Sequence, residues 1–238
     1  MQLDVFLTPC SVSDETLDGS LTIVIDVLRA TSTITTALSA GAAAIQPVAT
    51  KQEVEFQTAQ VEGSGYLRAG ERNGEKIEGY DLGNSPLDYT NQTVEGQTII
   101  LTTTNGTRAL SKADAADEVI VGSMLNAYRV ARWIAEQQTD TVLLCAGRHN
   151  RPALEDTLCA GLVIDHLREL GLEPGLTDAA RIVDTFYQET DDFETAVEAG
   201  SSVQRLRDIG HERDISYCLQ QDTLPILPRF VDGKITLR

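Results

Sequence analysis

The stretch LTIVIDVLRATSTITTALSAGA, residues 21–42, decides the fold. Its first seven residues, LTIVIDV, form a β-branched apolar run of the length expected for a parallel strand buried on both faces. From Ala30 onward, ATSTITTALSAGA has helix length and carries Gly41 where a C-terminal cap belongs. A buried strand feeding a helix is the unit from which α/β sheets are assembled.

The same alternation continues outward. QLDVFLT (2–8) precedes the stretch as a strand; AIQPVAT (44–50) follows as another, and KQEVEFQTAQVEG (51–63) reads as an amphipathic helix ending at Gly63. QTIILTTT (97–104), DEVIVG (117–122) and TVLLCAG (141–147) are further strands. NGTRALSKA, NAYRVARWIAEQQ and EDTLCAGLVIDHLREL, the last closed by Gly171, are the helices after them. Repeated strand-then-helix order predicts a three-layer α/β/α fold with a mixed, mainly parallel sheet. We read a single domain over residues 1–238. Its C-terminal third, about 177–238, is more helical and is either a capping subdomain or the second half of the sheet, and it ends in a hairpin, ILPRFVDGKITL, turned at Asp232-Gly233.

The 238 residues carry 36 Asp and Glu against 19 Lys and Arg, a formal charge of -17. Such a field repels nucleic acid and anionic membranes, so neither is an expected partner. No apolar run is long enough to cross a bilayer. The four cysteines form no C-x-x-C pair and the N-terminus lacks the regions of a signal peptide, which together predict a cytoplasmic protein. An anionic substrate must then be held against the global field by local arginines, helix N-termini or a metal.

In open α/β sheets ligands sit beyond the carboxyl ends of the strands. There lie Asp26 and Arg29, then Thr102, Thr103, Thr104 and Asn105, then Ser123 and Asn126, then Arg148, Glu155 and Asp156. An acid ending an apolar strand, as Asp26 does, costs about 5 kcal/mol of desolvation unless a cation or donors offset it. It is a metal ligand or nucleophile, or else an ordinary helix N-cap or a partner of Arg29. TTTNGTRAL offers hydroxyls, an amide and backbone N–H groups to an oxyanion, or is simply a turn feeding a helix. Glu155 and Asp156 either coordinate a hard cation or complement a helix dipole. Glu71, Asp81 and Asn84, in the polar segment GERNGEKIEGYDLGNSP (70–86), are either a further oxygen-rich set or a solvated loop. The three histidines are too scattered for a metal cluster, and His166, inside a helix, reads as structural. No Walker A, G-x-S-x-G or G-x-G-x-x-G motif is present.

Taken in order and spacing, IDVLRATSTITTAL, GER, GYDLGNSPLDYT, ILTTTNGTRAL, LCAGR, LEDTLCAG and DISYCLQQD resemble the 2-phosphosulfolactate phosphatase family, over about Leu21 to Pro228. The resemblance implies a cytoplasmic, magnesium-dependent acid phosphatase, a homo-oligomer, releasing phosphate from 2-phosphosulfolactate on the route to coenzyme M. Transferred motif by motif, it points to Asp26, Arg29, Glu71, Asp81, Asn84, Thr103, Asn105, Arg148, Glu155 and Asp156. On this reading Mg2+ is held by Asp26 with one or two of Glu71, Asp81, Glu155 and Asp156, while Arg29 and Arg148 neutralise the phosphoryl group and water attacks in line. Asn84, Thr103 and Asn105 orient the phosphate, and Arg108 or Arg151 takes the sulfonate or carboxylate. A variant makes Asp26 a covalent nucleophile, although Leu28 stands where a D-x-D pattern has its second acid. The alternative from another class is a non-catalytic sensor of a small anionic metabolite. One stretch departs from the family pattern: where relatives are expected to show a Ser-x-His-Gly-Arg-like run, this chain has GSSVQRLRDIG, with Arg205 its first arginine.

Overall fold

The computed structural model describes residues 1–60 and 65–237, so the helix end expected at Gly63 lies outside the described residues. Among the described residues eleven strands form one sheet: β1 (Gln2–Phe6), β2 (Leu21–Ile25), β3 (Ala44–Pro47), β4 (Tyr66–Arg72), β5 (Glu75–Lys76), β6 (Thr98–Thr102), β7 (Glu118–Gly122), β8 (Thr141–Cys145), β9 (Gly175–Leu176), β10 (Pro228–Val231) and β11 (Lys234–Leu237). Their order is β5-β4-β6-β3-β11-β10-β7-β2-β8-β1-β9. Two parallel blocks, β4-β6-β3 and β7-β2-β8-β1-β9, are joined by the antiparallel hairpin β10–β11. The mixed, mainly parallel α/β/α architecture read from the sequence is the one observed.

β2 explains the layering. All five of its residues are buried. Ile23 and Ile25 pack in one core with Leu143, Cys145 and the helices Ala127–Gln137, Leu154–Glu169 and Asp178–Gln188. Val24 packs on the other face with Val121, Leu144 and the helices Ala30–Ser39 and Gly106–Ala113. A strand covered on both sides has no polar face, which is why LTIVI reads as a continuous apolar run. The helix after it stops as its sequence implies: Gly41 has φ +93°, and the N–H groups of Gly41 and Ala42 bond back to Leu38 and Ala37.

β4 runs on through Glu71 and Arg72, inside the segment read as a polar loop, and turns at Asn73-Gly74 into the short β5. Its polar character belongs to the end of the strand, where Glu71 faces the cleft described below. DFETAVEAGSSVQRLRDIG is two helices, Phe193–Val197 and Ser201–Asp208, with Gly200 as the N-cap of the second. The terminal hairpin turns at Asp232 and Gly233, both with positive φ, as expected. Among the described residues no helix is long and apolar enough to cross a membrane.

Candidate active site

The strand ends meet although four strands separate β6 from β2 in the sheet order. The helix Gly106–Ala113, which follows β6, packs across β2. A Cβ at Gly106 would lie 2.4 Å from the Ala30 Cβ and 2.8 Å from Asp26 Oδ2, so glycine is what lets the two backbones approach. The resulting cleft is lined by Asp26, Arg29, Glu71, Asn84, Thr103, Thr104, Asn105, Arg148, Glu155 and Asp156, together with Gly74, Gly147, His149, Ser202 and Arg205.

The four carboxylates do different work. Asp156, 2% exposed, spends both oxygens on backbone N–H groups: Val27 after β2 donates to Oδ1 at 2.8 Å, and Gly147 after β8 donates to Oδ2 at 3.0 Å. It ties two strand ends together. Glu71 does the same for the other block, accepting from Thr104 N at 2.6 Å and from Gly74 N at 2.7 Å. Glu155 is different. It is 2% exposed, and its Oε2 has no hydrogen-bond partner among the described residues. Asp26, three residues before the helix N-cap Arg29, accepts from the Ala30 N–H at 3.2 Å.

Crowding these acids in a dry place makes their charged forms unfavourable. Burial raises the Asp26 carboxyl to about 7; the Ala30 N–H opposes this, Glu71 and Glu155 add to it, and Arg29 offsets part. Asp156 is raised well above the usual carboxylate range by burial and then by the charges of Glu155 and Asp26. Burial also raises Glu155, opposed by the neighbouring Ser202 hydroxyl and the charge of Arg148.

The arginines are held in place. Arg29 Nη1 donates to Asp214 Oδ2 at 2.5 Å and Nη2 to the Gly74 carbonyl at 2.5 Å; the Leu28–Arg29 peptide bond is cis. Asp214, 2% exposed, also accepts from Ser85 Oγ and faces His211. Arg148 Nη1 donates to the Ser201 carbonyl at 2.5 Å. Two further acceptors, Asn84 Oδ1 and Thr104 Oγ1, are buried without a partner among the described residues.

Asp81, Thr102, Arg108, Ser123, Asn126 and Arg151, all singled out from sequence, do not line the cleft. Asp81 accepts from the Arg68 N–H at 2.8 Å and staples the loop to β4, its side chain 43% exposed and outside the cleft. Arg108 and Arg151 are exposed and do not line the cleft. Ser123 and Asn126 close on one another as a capping box, with Asn126 Nδ2 donating to Val121 and Ile226 carbonyls, so that turn is structural. His166 is held between Glu169 and Asp222, away from the cleft. In the other direction, the sequence marks Asp214 only as the start of DISYCLQQD and Arg205 only as the first arginine of GSSVQRLRDIG, and assigns no role to them or to Ser202. All three fall in helices where isolated polar residues look like a solvated face.

A family profile described as 2-phosphosulpholactate phosphatase matches residues 6–233. The chain belongs to that family. Similar proteins named probable 2-phosphosulfolactate phosphatase come from Caldanaerobacter subterraneus, 40% identical over 98% of this chain and 97% of its own, and from Thermotoga petrophila, 38% identical over 99% and 98%. A third, from Clostridium acetobutylicum, is 35% identical over 99% of this chain and 100% of its own. In this member of the 2-phosphosulfolactate phosphatase family, the stretch GSSVQRLRDIG contains the helix Ser201–Asp208, which brings Ser202 and Arg205 to the cleft.

Proposed function

We propose that the protein is a magnesium-dependent phosphatase that hydrolyses 2-phosphosulfolactate, or a closely similar phosphorylated 2-hydroxy acid, to the alcohol and inorganic phosphate. The names of its relatives support the reaction. The observation that carries the magnesium reading is Glu155 Oε2, a buried carboxylate oxygen without a partner among the described residues, in the same cleft as the raised Asp26. Among the described residues no three His, Cys, Asp or Glu side chains form a ready-made metal cage. That fits magnesium, which is commonly bound through one or two carboxylates plus substrate phosphate and water. Asp26 and Glu155 would hold it; Asp156 and Glu71, whose oxygens serve backbone N–H groups, shape the site instead.

When bound, magnesium would offset the carboxylate charge and polarise a phosphoryl oxygen. The chain's own groups do the rest. Arg148 supplies positive charge beside Glu155, and Thr103, Thr104, Asn105 and Asn84 present hydroxyls and amides to the phosphoryl oxygens. Arg29, fixed by Asp214 and the Gly74 carbonyl, positions the β4–β5 turn and adds its charge to the same wall. A pure anion receptor would not crowd four carboxylates beside its arginines, which is why the enzyme reading is preferred to the sensor.

A cytoplasmic homo-oligomer supplying sulfolactate toward coenzyme M belongs to the same proposal. Phosphate release with and without magnesium tests the chemistry, and light scattering of the purified protein tests the assembly.

A further inference from the structure

Arg205 reaches the cleft from the C-terminal third. Its helix, Ser201–Asp208, is fastened at its start by Arg148, which donates to the Ser201 carbonyl, and just beyond its end by Ile209 against the Asn73-Gly74 turn. A Cβ at Gly74 would sit 2.8 Å from Ile209 Cδ1, so turn and helix are in close contact. Arg205 Nε donates to the Asn73 carbonyl at 2.8 Å, which fixes the plane of the guanidinium. The remaining end is engaged by Glu75: Nη2 donates to Oε2 at 3.0 Å, with side chains 31% and 66% exposed. Arg205 lines the cleft; Glu75 does not.

A guanidinium anchored through Nε leaves its Nη1–Nη2 edge as a fork for a planar or trigonal oxyanion. Glu75 places a carboxylate on that fork, and an exposed ion pair of this kind is weak enough to exchange. Arg29 is not available for such exchange, since Asp214 and the Gly74 carbonyl already occupy its two ends inside the protein.

We infer that Arg205 is the specificity residue for the second anionic group of the substrate, a carboxylate or sulfonate on the carbon skeleton that bears the phosphate ester, and that Glu75 competes for it. The inference rests on the phosphatase reading and deepens it. Binding exchanges one carboxylate on Arg205 for an oxyanion of the substrate, and Glu75 swings into water.

The test compares wild type, Arg205→Gln and Glu75→Gln on four esters: 2-phosphosulfolactate, 2-phospholactate (no sulfonate), the phosphate ester of 2-hydroxypropanesulfonate (no carboxylate) and isopropyl phosphate (neither). The expected result is a fall of about 10- to 100-fold in the kcat/KM ratio of 2-phosphosulfolactate to isopropyl phosphate in Arg205→Gln, carried by KM, the size of one charge-assisted contact. In Glu75→Gln the same ratio rises. Whichever single-anion ester loses its advantage in Arg205→Gln identifies the group bound. An unchanged ratio in both variants overturns the inference and leaves Arg205–Glu75 as a surface pair. Calorimetry with sulfolactate, which has both anionic groups and no phosphate, reads the subsite without turnover. Weaker binding to Arg205→Gln than to wild type supports the assignment even if no ester is hydrolysed; equal binding overturns it even if all are.

Discussion

Arg29 Nη1 donates to Asp214 Oδ2 at 2.5 Å across 185 residues of sequence, and both side chains are only 2% exposed. This pair joins the first βα turn to the C-terminal helix Glu212–Cys218. Breaking one side of a buried pair leaves the other charge stranded, at about 3–5 kcal/mol. Arg29→Met is therefore expected to lower the urea midpoint severely. Arg29→Met combined with Asp214→Leu should be destabilised by less than the sum of the single changes, while remaining inactive. Additive losses in that double-mutant cycle would mean that the pair is not coupled.

Asp26 should trade stability for function. Its folded pKa, raised to about 7, lies above the unfolded value of about 4, so its contribution is present in full below pH 4 and is lost as the pH rises toward 7. The magnitude is on the order of 4 kcal/mol. The metal-free protein should melt at lower temperature at pH 8 than at pH 5, and Asp26→Asn should flatten that slope while abolishing turnover. An unchanged slope in Asp26→Asn would refute the assignment.

Magnesium binding should carry the opposite pH dependence, because the cation competes with the proton held on Asp26. Thermal shifts produced by magnesium are expected to be larger at pH 8 than at pH 5.5, and small at both in Asp26→Asn. Equal shifts at the two pH values would place the cation elsewhere.

Gly106 tests the close approach of the two sheet blocks. Its φ is not in the left-handed region, so the backbone itself accepts alanine, but the added Cβ meets Ala30 and Asp26. Gly106→Ala should cost about 1–3 kcal/mol by overpacking and lower kcat with it. Calorimetric melting and steady-state rates measured together check this; a variant as stable and active as wild type would contradict the packing.

Glu71→Gln keeps the size but turns an amide toward either the Thr104 or the Gly74 N–H, setting donor against donor. A loss of about 1–3 kcal/mol and a raised KM are expected. Full retention of both would show that Glu71 does not hold the turn.

What the sequence disclosed follows how local each signal is. Asp26 stands out because an acid terminates an otherwise apolar strand, and the hairpin stands out because Asp232-Gly233 is a turn by its own chemistry. That the hairpin enters the sheet between β3 and β7 is not local, since pairing depends on partners more than a hundred residues away. Asp81 looked equivalent to Glu71, and only the fold shows one facing outward to Arg68 and the other inward to Thr104. Arg205 and Asp214 lie in stretches the sequence marks, but their contacts with Asn73 and Arg29 cannot be read there, because those partners are more than a hundred residues away.

Hydrolysis of a phosphate monoester in this cleft, with magnesium at Asp26 and Glu155, is the reaction proposed for the protein. It is tested most directly by measuring phosphate release from 2-phosphosulfolactate by the wild type with magnesium, with chelator, and with chelator followed by excess magnesium. Release that stops with chelator, returns with magnesium and is absent from Asp26→Asn and Glu155→Gln is the predicted result. Tight binding of the ester without release, or release indifferent to chelator, would contradict the account.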